Sequence, residues 1–469
     1  MKQIHDLRSA IVFYKGSGYG IEECSNIISV KYAMAEHYIK HGAGSPTINS
    51  HMGSPVLYTN LYESSMPLLI GLFANREANN MMLLGKRDAT SRDYIDAVSK
   101  SIDPLMVKEP VCQENVIKEV DLLQQLPIPT FAPIDAGPYI TLGLVYATDI
   151  ETGENNCSIH RLCVQNKDTM SIWIMPSRHL AKMYTKCASR GLSFPVSINI
   201  GLDPAIYFAS CFSEPFTGYG KDELSIAGGI RNIPIGISDC LSIDAKCISE
   251  SEIVLEAEIT TSLVDEDCNS QSGYSFAEFL GYHGVAKKSI PQVKVKQITH
   301  RNNPIYQSVL GPGLEQSELL GIPAETIMYH NLIKNIHVDL LRVHYSNVGG
   351  GLLFLILQLK KHQVEDDERV RQAGLFAISS EAMVKHVMLV DEDVNIYSHE
   401  ELLWALTTRF QANKDFVCIE NLPGFPADPS QMPEYSQHIH HPGNTAKMIL
   451  DCTVPYYLKA KFKRSFYKY

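Results

Sequence analysis

Residues 252–259 read Glu252-Ile-Val-Leu-Glu-Ala-Glu-Ile259, and this stretch decides the fold of the middle of the chain. Its β-branched residues and its partial alternation of polar and apolar side chains favour a β-strand over a helix. The stretch Val196-Ser-Ile-Asn-Ile200 has the same character. Similar strands recur from about residue 139 to about residue 306, and we predict a β-rich domain there, with a barrel as the form that fits best.

The regions on both sides of this domain alternate short apolar strands with helical segments, which is typical of an α/β arrangement. Residues 55–59 predict a strand and residues 66–75 a helix, while residues 352–359 predict a buried strand and residues 398–410 a helix. The proline-rich joint at residues 126–133 must run extended. We therefore predict an N-terminal α/β domain at 1–120, a β-barrel domain at 121–310, a C-terminal α/β domain at 311–455, and a tail at 456–469 that is a candidate subunit contact.

Composition and charge exclude several classes of protein. A net charge of −11 gives no field that attracts nucleic acid or an anionic membrane. The longest strongly apolar stretch, residues 352–357, is far shorter than the roughly 20 residues that a membrane-spanning helix needs. The N-terminus lacks the pattern of a signal sequence, and the eleven cysteines are scattered singly. We expect a cytoplasmic protein with reduced, mostly buried thiols.

The densest polar cluster of the sequence is Asn155-Asn156-Cys157-Ser158-Ile159-His160-Arg161, followed by Ser177-Arg178-His179. Asn, Ser and Arg at these spacings can surround an anion if the backbone turns. Taken alone, the pattern favours a polar strand end whose side chains satisfy turn backbone groups.

Further motifs change that balance in combination. They are Ala209-Ser-Cys-Phe-Ser213, the isolated Asp239, Gly273-Tyr-Ser-Phe-Ala-Glu-Phe-Leu-Gly-Tyr-His-Gly284, Asp135-Ala-Gly-Pro-Tyr-Ile-Thr-Leu-Gly143, Gly201-Leu-Asp-Pro-Ala205, Ile298-Thr-His-Arg-Asn-Asn-Pro-Ile-Tyr-Gln307, Leu403-Trp-Ala-Leu-Thr-Thr-Arg409 and Ala446-Lys-Met448. In this order they resemble the UbiD-like decarboxylases along most of the chain. The resemblance implies an α/β protein with a central split β-barrel akin to flavin reductases, and a carboxy-lyase activity that depends on prenylated flavin mononucleotide (FMN).

The resemblance also implies a metal site. Asn156, His179 and Asp239 match the positions that hold a manganese-like divalent ion against the flavin phosphate, with a potassium or sodium ion beside it. Oxygen and imidazole ligands suit such an ion. Asp239 stands where the family more usually has Glu, and its shorter side chain puts the affinity in question.

A larger set of residues falls where the family binds the cofactor. The resemblance implies that Lys447 contacts the cofactor phosphate. The full set of cofactor-binding positions is Asn156, Cys157, Ser158, Ile159, His160, Arg161, Trp173, Ile174, Met175, Arg178, His179, Ser210, Phe212, Asp239 and Lys447. For Trp173 and Met175, ordinary core packing explains the residues equally well.

Arg161 and Glu278 are the predicted catalytic residues. A guanidinium near the flavin can hold a substrate carboxylate with two parallel hydrogen bonds. Glu278 matches the later of two acids in the family's motif, which protonates the carbon that has lost carbon dioxide. The earlier acid is absent because position 273 is Gly, so Asp265, Glu266 or Asp267 would have to replace it through a rearranged loop.

Three functions follow from these residues. The first, which the resemblance implies, is reversible decarboxylation of an α,β-unsaturated or aromatic carboxylic acid. The resemblance also implies a UbiX-type prenyltransferase that supplies the flavin, and a homodimer or an assembly of dimers. The second, motivated by Gly273, is a non-catalytic flavin-binding subunit that supports a partner decarboxylase. The third is a flavin-free metal hydrolase that uses Asn156, His179 and Asp239. The sequence leaves the identity of the acid open.

Overall fold

The computed structural model describes residues 4–40, 54–278 and 280–465. The chain forms two compact units, the first from residues 1–89 and 96–319 and the second from residues 90–95 and 320–469. The helices of the described residues are α1 Leu7–Gly16, α2 Ala33–Tyr38, α3 Arg76–Leu84, α4 Ser91–Val98, α5 Leu122–Gln125, α6 His179–Ala188, α7 Pro204–Ala209, α8 Glu223–Arg231, α9 Leu314–Asn335, α10 Asp366–Ser380 and α11 His399–Arg409.

The strands of the described ranges belong to five sheets. They are β1 Glu22–Cys24, β2 Val56–Tyr58, β3 Leu68–Ile70, β4 Leu105–Met106, β5 Asn115–Ile117, β6 Tyr139–Thr148, β7 Asn155–Val164, β8 Thr169–Ile172, β9 Phe194–Ile200, β10 Gly236–Asp239, β11 Lys246–Ile248, β12 Ile253–Val264, β13 Tyr274–Ala277, β14 His283–Val285, β15 Ile290–His300, β16 Tyr306–Gln307, β17 Asp339–Tyr345, β18 Phe354–Lys360, β19 His386–Asp391, β20 Phe416–Pro423 and β21 Asn444–Cys452.

A closed barrel forms the core of the first unit. Its six strands follow the order β12-β9-β6-β7-β8-β15 with antiparallel pairing, and β15 pairs back with β12 to close the ring. The predicted strands at residues 196–200 and 252–259 lie in β9 and β12. The mixed α/β fold with a central β-barrel is thereby confirmed.

Burial on both sides of the barrel wall explains its apolar sequence. Ile198, Leu255 and Val293 are fully buried in one core cluster, and burial of each such side chain stabilises the fold by about 1.5–3 kcal/mol. Helix α6 packs on β7, β9 and β12, and α8 packs on β7. Strand β11 packs on β6, and β6 is buried at all but its last position, because a wall covered on both faces has no solvent side to alternate with.

The helix predicted at residues 66–75 is wrong. Leu68–Ile70 is a strand, β3, in the sheet β1-β2-β3-β16. The chain breaks at Gly71, where φ is +91°, and α3 begins only at Arg76 with Asn75 as its N-cap. The apolar residues that suggested a helix belong to the short buried strand Leu68–Ile70. The strand predicted at residues 55–59 is confirmed as β2.

The second unit contains a five-stranded mixed sheet in the order β17-β18-β19-β21-β20. Alternate residues of its strands enter two different cores: Leu355 and Leu357 pack in the cluster that includes α10, and Ile356 packs in the cluster that includes α11. Both predicted elements are confirmed. The strand is β18, and the helix is α11, which begins after the N-cap Ser398.

The described part of the C-terminal tail is held by its own unit. Lys459 Nζ donates to both carboxylate oxygens of Glu392 at 2.9 and 2.8 Å, and Arg464 donates to both oxygens of Glu401 at 2.6 and 2.7 Å. A subunit contact for this tail stays a prediction, and its last four residues lie outside the described range. Among the described residues, no helix has the length and apolarity to cross a lipid bilayer.

Candidate active site

Arg161 is a nearly buried cation on barrel strand β7. Its side chain is 13% exposed, its Nε lies 3.0 Å from Glu266 Oε1, and its Nη2 donates to Glu266 Oε2 at 3.1 Å. Its Nη1 donates to Glu278 Oε1. Burial opposes the charge of Arg161, but the two carboxylates outweigh burial and raise the pKa of the guanidinium.

Glu266 is a buried acceptor with three donors. Its carboxylate accepts from Arg161, from the hydroxyl of Tyr139 at 3.1 Å and from the backbone N–H of Lys287 at 2.9 Å. Its neighbours have other partners: Asp265 accepts the Ser289 N–H, and Asp267 accepts from Lys288 Nζ at 2.5 Å. Of the three acids that the sequence left open as a replacement at position 273, the structure brings Glu266 to the arginine.

Glu278 is placed by the hairpin that joins β13 and β14. Its N–H donates to the Tyr282 carbonyl at 2.8 Å, and the Gly281 N–H donates to the Glu278 carbonyl at 2.8 Å. Gly284 passes so close that an added Cβ would lie 2.8 Å from Glu278 Oε1. The same Cβ would lie 2.5 Å from Ser275 Oγ, so a side chain at position 284 would displace the side chains of Ser275 and Glu278.

Two aromatic rings complete the surroundings of Arg161. Phe276 stacks on Tyr139 with ring centroids 4.9 Å apart, and the guanidinium lies over the Phe276 ring, 5.3 Å from its centroid. A cation over an aromatic face is stabilised when it is shielded from water. Arg161 is therefore fixed in one position by two carboxylates and one ring.

A second polar cluster on β7 surrounds a carboxylate that the sequence interpretation missed. Glu223, the first residue of α8, accepts from Asn156 Nδ2 at 3.1 Å and from the Cys157 N–H at 2.7 Å. Asp222 caps the same helix by accepting the Leu224 N–H at 2.9 Å. Burial raises the pKa of the Glu223 carboxyl to about 8, because the donors that it faces here are neutral.

Ser158 and His160 extend this cluster along the strand. The Ser158 hydroxyl donates to Asn156 Oδ1 at 3.2 Å and lies 2.9 Å from His160 Nε2, and His160 Nδ1 lies 3.2 Å from the Trp173 carbonyl. Burial lowers the pKa of His160 to about 4, so this imidazole is neutral near pH 7. Asn156, Ser158 and His160 are alternate residues and share one face of the strand.

Two stretches of the chain match family models. Residues 105–313 match the Rift-related domain of UbiD, the 3-octaprenyl-4-hydroxybenzoate carboxy-lyase, and residues 318–452 match its C-terminal domain. The chain belongs to the UbiD family. It is 32% identical to the gallate decarboxylase of Lactiplantibacillus plantarum over 99% of this chain and 97% of that protein. It is 31% identical to the anhydromevalonate phosphate decarboxylase of Methanosarcina mazei, over 88% of this chain and 90% of the relative.

Solved structures agree with this assignment to the UbiD family. The apo 3,4-dihydroxybenzoic acid decarboxylase of Klebsiella pneumoniae is 37% identical, with a TM-score of 0.95 over 99% of this chain and 98% of that one. The UbiD-class enzyme HmfF from Pelotomaculum thermopropionicum, in complex with FMN, is 28% identical, with a TM-score of 0.87 over 98% and 97% of the two chains. The chain is a carboxy-lyase, as the sequence predicted.

The predicted metal ligands are on three different secondary-structure elements of the first unit. Asn156 is on β7, and His179 is the first residue of α6, where its ring meets the Tyr219 ring edge-on at 5.2 Å. Asp239 is an exposed residue at the end of β10, and its carbonyl accepts from Gln113 Nε2 at 2.8 Å. Among the described residues, no three His, Cys, Asp or Glu side chains form a group that could hold a metal ion. The acid that contacts Asn156 is Glu223.

The other predicted flavin contacts lie near these elements or farther along the chain. Trp173 carries Lys287 Nζ 5.4 Å above its ring, Ile174 is buried, and Met175 is exposed. Arg178 is exposed at the N-cap of α6. Ser210 bonds the Tyr207 carbonyl at 2.7 Å, and Phe212 packs edge-on against Phe216.

Lys447 belongs to the second unit. It is a buried residue of β21 whose Nζ donates to the carbonyls of Glu381 and Ala382 at 3.3 and 2.9 Å. Burial lowers the pKa of its ammonium group. Its predicted contact with a phosphate stays a prediction.

Glu223 had a signal in the sequence that was not used. Asp222 and Glu223 stand directly before the apolar run of α8, and an acid pair at that point is typical of a helix N-terminus. Helix starts are common, so this signal predicts a helix and not a ligand. The packing of α8 on β7 brings Glu223 within hydrogen-bond distance of Asn156, and the local sequence does not show this contact.

Proposed function

We propose that this UbiD-family protein catalyses the reversible, non-oxidative decarboxylation of an aromatic or α,β-unsaturated carboxylic acid with prenylated FMN and a divalent metal ion. Arg161, held between Glu266 and Glu278, is the observation that carries the proposal. Gallate decarboxylase and 3,4-dihydroxybenzoic acid decarboxylase are among its relatives. Hydroxylated benzoic acids are therefore the substrates to test first.

The net charge of Arg161, Glu266 and Glu278 determines whether a substrate carboxylate can bind beside them. Arg161 contributes one positive charge, and the carboxylates of Glu266 and Glu278 contribute two negative charges when both are ionised. A substrate carboxylate adds a further negative charge to a nearly buried site, which is costly unless a proton is taken up. Protonation of one glutamate would free a guanidinium N–H for the substrate.

Glu278 is the better candidate to hold that proton. Its carboxylate accepts from Arg161, whereas the carboxylate of Glu266 accepts from Arg161, from Tyr139 and from the Lys287 N–H. Donors to a carboxylate favour its charged form. In the proposed reaction, Arg161 orients the substrate carboxylate, Glu266 holds Arg161, and Glu278 delivers its proton to the carbon that has lost carbon dioxide.

The residues along β7 suit the cofactor. When bound, prenylated FMN supplies the electron sink for the carbon that loses the carboxylate. Ser158 and the neutral His160 offer polar contacts to a flavin ring, and the exposed Arg178 stands at the start of the ten-residue helix α6, where an anionic phosphate is favoured.

The donor set also suits a metal ion. Asn156, His179 and Glu223 would offer amide oxygen, imidazole and carboxylate, which fit manganese or a similar divalent ion with a potassium or sodium ion beside it. A cation would compensate the buried carboxylate of Glu223. We propose Glu223, in place of Asp239, as the acidic ligand.

The alternative of a non-catalytic subunit rested on Gly273. Gly273 has φ +78° and donates its N–H to Asp267 Oδ2 at 2.9 Å, so it serves a turn. Because Glu266 provides a carboxylate beside Arg161, the geometry favours the catalytic function. The proposal includes a cytoplasmic location, a UbiX-type prenyltransferase as cofactor supplier and a homodimer or an assembly of dimers.

The test is an activity measurement on protein co-expressed with a flavin prenyltransferase. Purified protein should contain prenylated FMN by mass and absorbance and should release carbon dioxide from 3,4-dihydroxybenzoate or gallate. Arg161→Ala should abolish release, whereas Arg190→Ala, which removes an exposed arginine paired with Glu151, should not. Loaded protein that turns over no acid alone but does so with a second subunit would favour the non-catalytic alternative. Flavin-free protein with hydrolytic activity would favour the hydrolase.

A further inference from the structure

Three cysteines from two distant parts of the sequence, residue 112 and residues 240–247, meet in the first unit. Cys112 lies in a short 3-10 turn at Val111–Gln113, Cys247 lies on β11, and Cys240 follows β10. Cys112 and Cys247 are fully buried in one small cluster, and Cys240 packs against it while partly exposed. We call Cys112, Cys240 and Cys247 the thiol cluster.

Backbone pairing brings the three side chains together. Strands β10 and β11 pair antiparallel with Asp239 opposite Lys246, so Cys240 and Cys247 are diagonal neighbours on one face of the hairpin. The Cys112 N–H donates to the Ser249 carbonyl at 3.2 Å, which holds the 3-10 turn against β11. Backbone hydrogen bonds therefore hold the three residues of the thiol cluster next to one another.

Cys247 is the central thiol. Its Sγ lies 3.9 Å from Cys112 Sγ and accepts from Gln113 Nε2 at 3.8 Å, and it also shares a hydrogen bond with Cys240. These donors, first Cys112 and then Cys240, lower the pKa of Cys247, while the pKa values of Cys112 and Cys240 are raised. The sulfur with the most donors is the one that best carries a thiolate, and the thiolate is the reactive form.

The loop beside the thiol cluster is anchored by a buried carboxylate. The buried Glu256 carboxylate accepts the N–H groups of Leu241 and Ser242 at 2.8 and 2.6 Å, and the Ser242 hydroxyl at 2.6 Å. Cys240 precedes this anchored loop and is the partly exposed member of the cluster. Cys240 is thus the thiol of the cluster that solvent reaches, whereas Cys112 and Cys247 are fully buried.

We propose that the thiol cluster is an oxidation-sensitive site in which Cys247 forms one intramolecular disulfide, with either Cys112 or Cys240 as its partner. The oxidant is a peroxide. A disulfide needs sulfur atoms about 2 Å apart, so Cys112 and Cys247 have to approach by roughly 2 Å from their 3.9 Å separation. Because Cys247 touches both other thiols, it is the shared member of both possible disulfides.

The chemistry balances with one peroxide for each disulfide. The Cys247 thiolate attacks one peroxide oxygen, the O–O bond breaks, and the released hydroxide takes a proton to leave as water, which leaves a sulfenic acid on Cys247. The neighbouring thiol then attacks that sulfur, the S–O bond breaks, and the second water leaves with the proton of the attacking thiol. Two thiols lose two electrons, and one hydrogen peroxide becomes two waters.

The test is disulfide mapping by mass spectrometry after brief treatment of the folded, full-length protein with hydrogen peroxide and alkylation of the remaining thiols. We expect peptides that link Cys247 to Cys112 or to Cys240, and their loss after reduction. Cys418, which is exposed on β20, reports the general extent of oxidation in the same sample. Oxidation of Cys418 with no link that includes Cys247 would overturn the proposal.

Variants separate the roles of the three thiols. Cys247→Ser should lower the yield of disulfide within the cluster at least about 10-fold, because no other thiol is shared, while Cys112→Ser and Cys240→Ser should each leave the other link. Cys452→Ser, which replaces a buried cysteine of the second unit, is the matched control and should change nothing. A Cys112 to Cys240 link of wild-type yield in Cys247→Ser would also contradict the proposal. The mapping on wild-type protein stands even if one variant fails to fold.

Discussion

Nη2 of Arg161 donates a 3.1 Å hydrogen bond to Oε2 of Glu266, a residue 105 positions later in the chain. The family's motif has its earlier acid five residues before Glu278, where this chain has Gly273. Glu266 reaches the arginine from the end of β12, and Tyr139 and Lys287 hold it there. The arginine thus keeps two carboxylate partners although the motif has lost one acid.

Removal of the proposed proton donor should stop turnover without loss of the fold. Glu278→Gln keeps the size of the side chain but cannot deliver a proton, so we expect kcat to fall by about 10²–10⁴-fold. The measurement is carbon dioxide release by flavin-loaded protein, with the melting temperature as a check on folding. Glu258→Gln, on barrel strand β12 and paired with Lys296, is the control. Equal activity of Glu278→Gln and wild type would refute the role.

Glu266 should act through the position of Arg161. Glu266→Gln removes the charge that faces the guanidinium, and we expect kcat/KM to fall by about 10-fold or more with a rise in KM, because a loosened arginine binds the substrate carboxylate less well. Asp267→Asn, the adjacent acid that pairs with Lys288, should change kcat/KM much less. A fall confined to kcat, with KM unchanged, would point to a direct role in proton transfer.

The metal ligands can be separated by one pair of variants. Glu223→Gln should reduce the affinity of the protein for manganese by about 10–100-fold, as the loss of a metal ligand or of a residue that orients one does. The amount of flavin that the protein retains should fall as well. Asp239→Asn should leave both unchanged because Asp239 is exposed at the end of β10. Metal content by elemental analysis after dialysis decides between them. The reverse result would restore Asp239 as the ligand.

The buried Glu315 should make stability depend on pH. Its carboxylate accepts the N–H groups of Gly71 and Phe73 at 2.8 and 3.3 Å, and burial raises its pKa from 4.5 to about 8. Between these values the folded state holds a proton that the unfolded state lacks. The free energy of unfolding therefore falls as pH rises from about 5 to about 8.

Glu315→Gln removes this titration. The variant should be less stable than wild type at pH 5, by about 1–3 kcal/mol because an amide cannot satisfy both N–H groups, and the difference should shrink as pH rises to 8. Melting temperatures of both proteins across that range are the measurement. A constant difference between them would show that Glu315 does not titrate in this window. Both proteins are measured without metal, so that Glu223, whose pKa burial raises to about 8, contributes the same pH dependence to each.

The sequence by itself was enough to locate strands of the barrel, to assign the family and to identify Arg161 as a candidate catalytic residue. Runs such as residues 196–200 and 252–259 are strands because β-branched side chains suit a buried sheet, and they lie in β9 and β12 as predicted. Arg161 and Glu278 were found from ordered motifs, and the structure brings their side chains together. The helix predicted at residues 66–75 failed because a short apolar run has no period that separates a buried strand from a helix.

Only the tertiary structure decided which distant side chains meet. Nothing in the local sequence separates Asp265, Glu266 and Asp267 as partners of the arginine. In the fold, the Lys287 N–H binds Glu266 beside Arg161, and Lys288 pairs with Asp267. Helix α8 brought Glu223 to Asn156, and a hairpin brought Cys240 and Cys247 to Cys112, although the spacing of these cysteines had predicted no thiol pair. Contacts of this kind depend on register and on the packing of separate elements, which local patterns in a sequence do not contain.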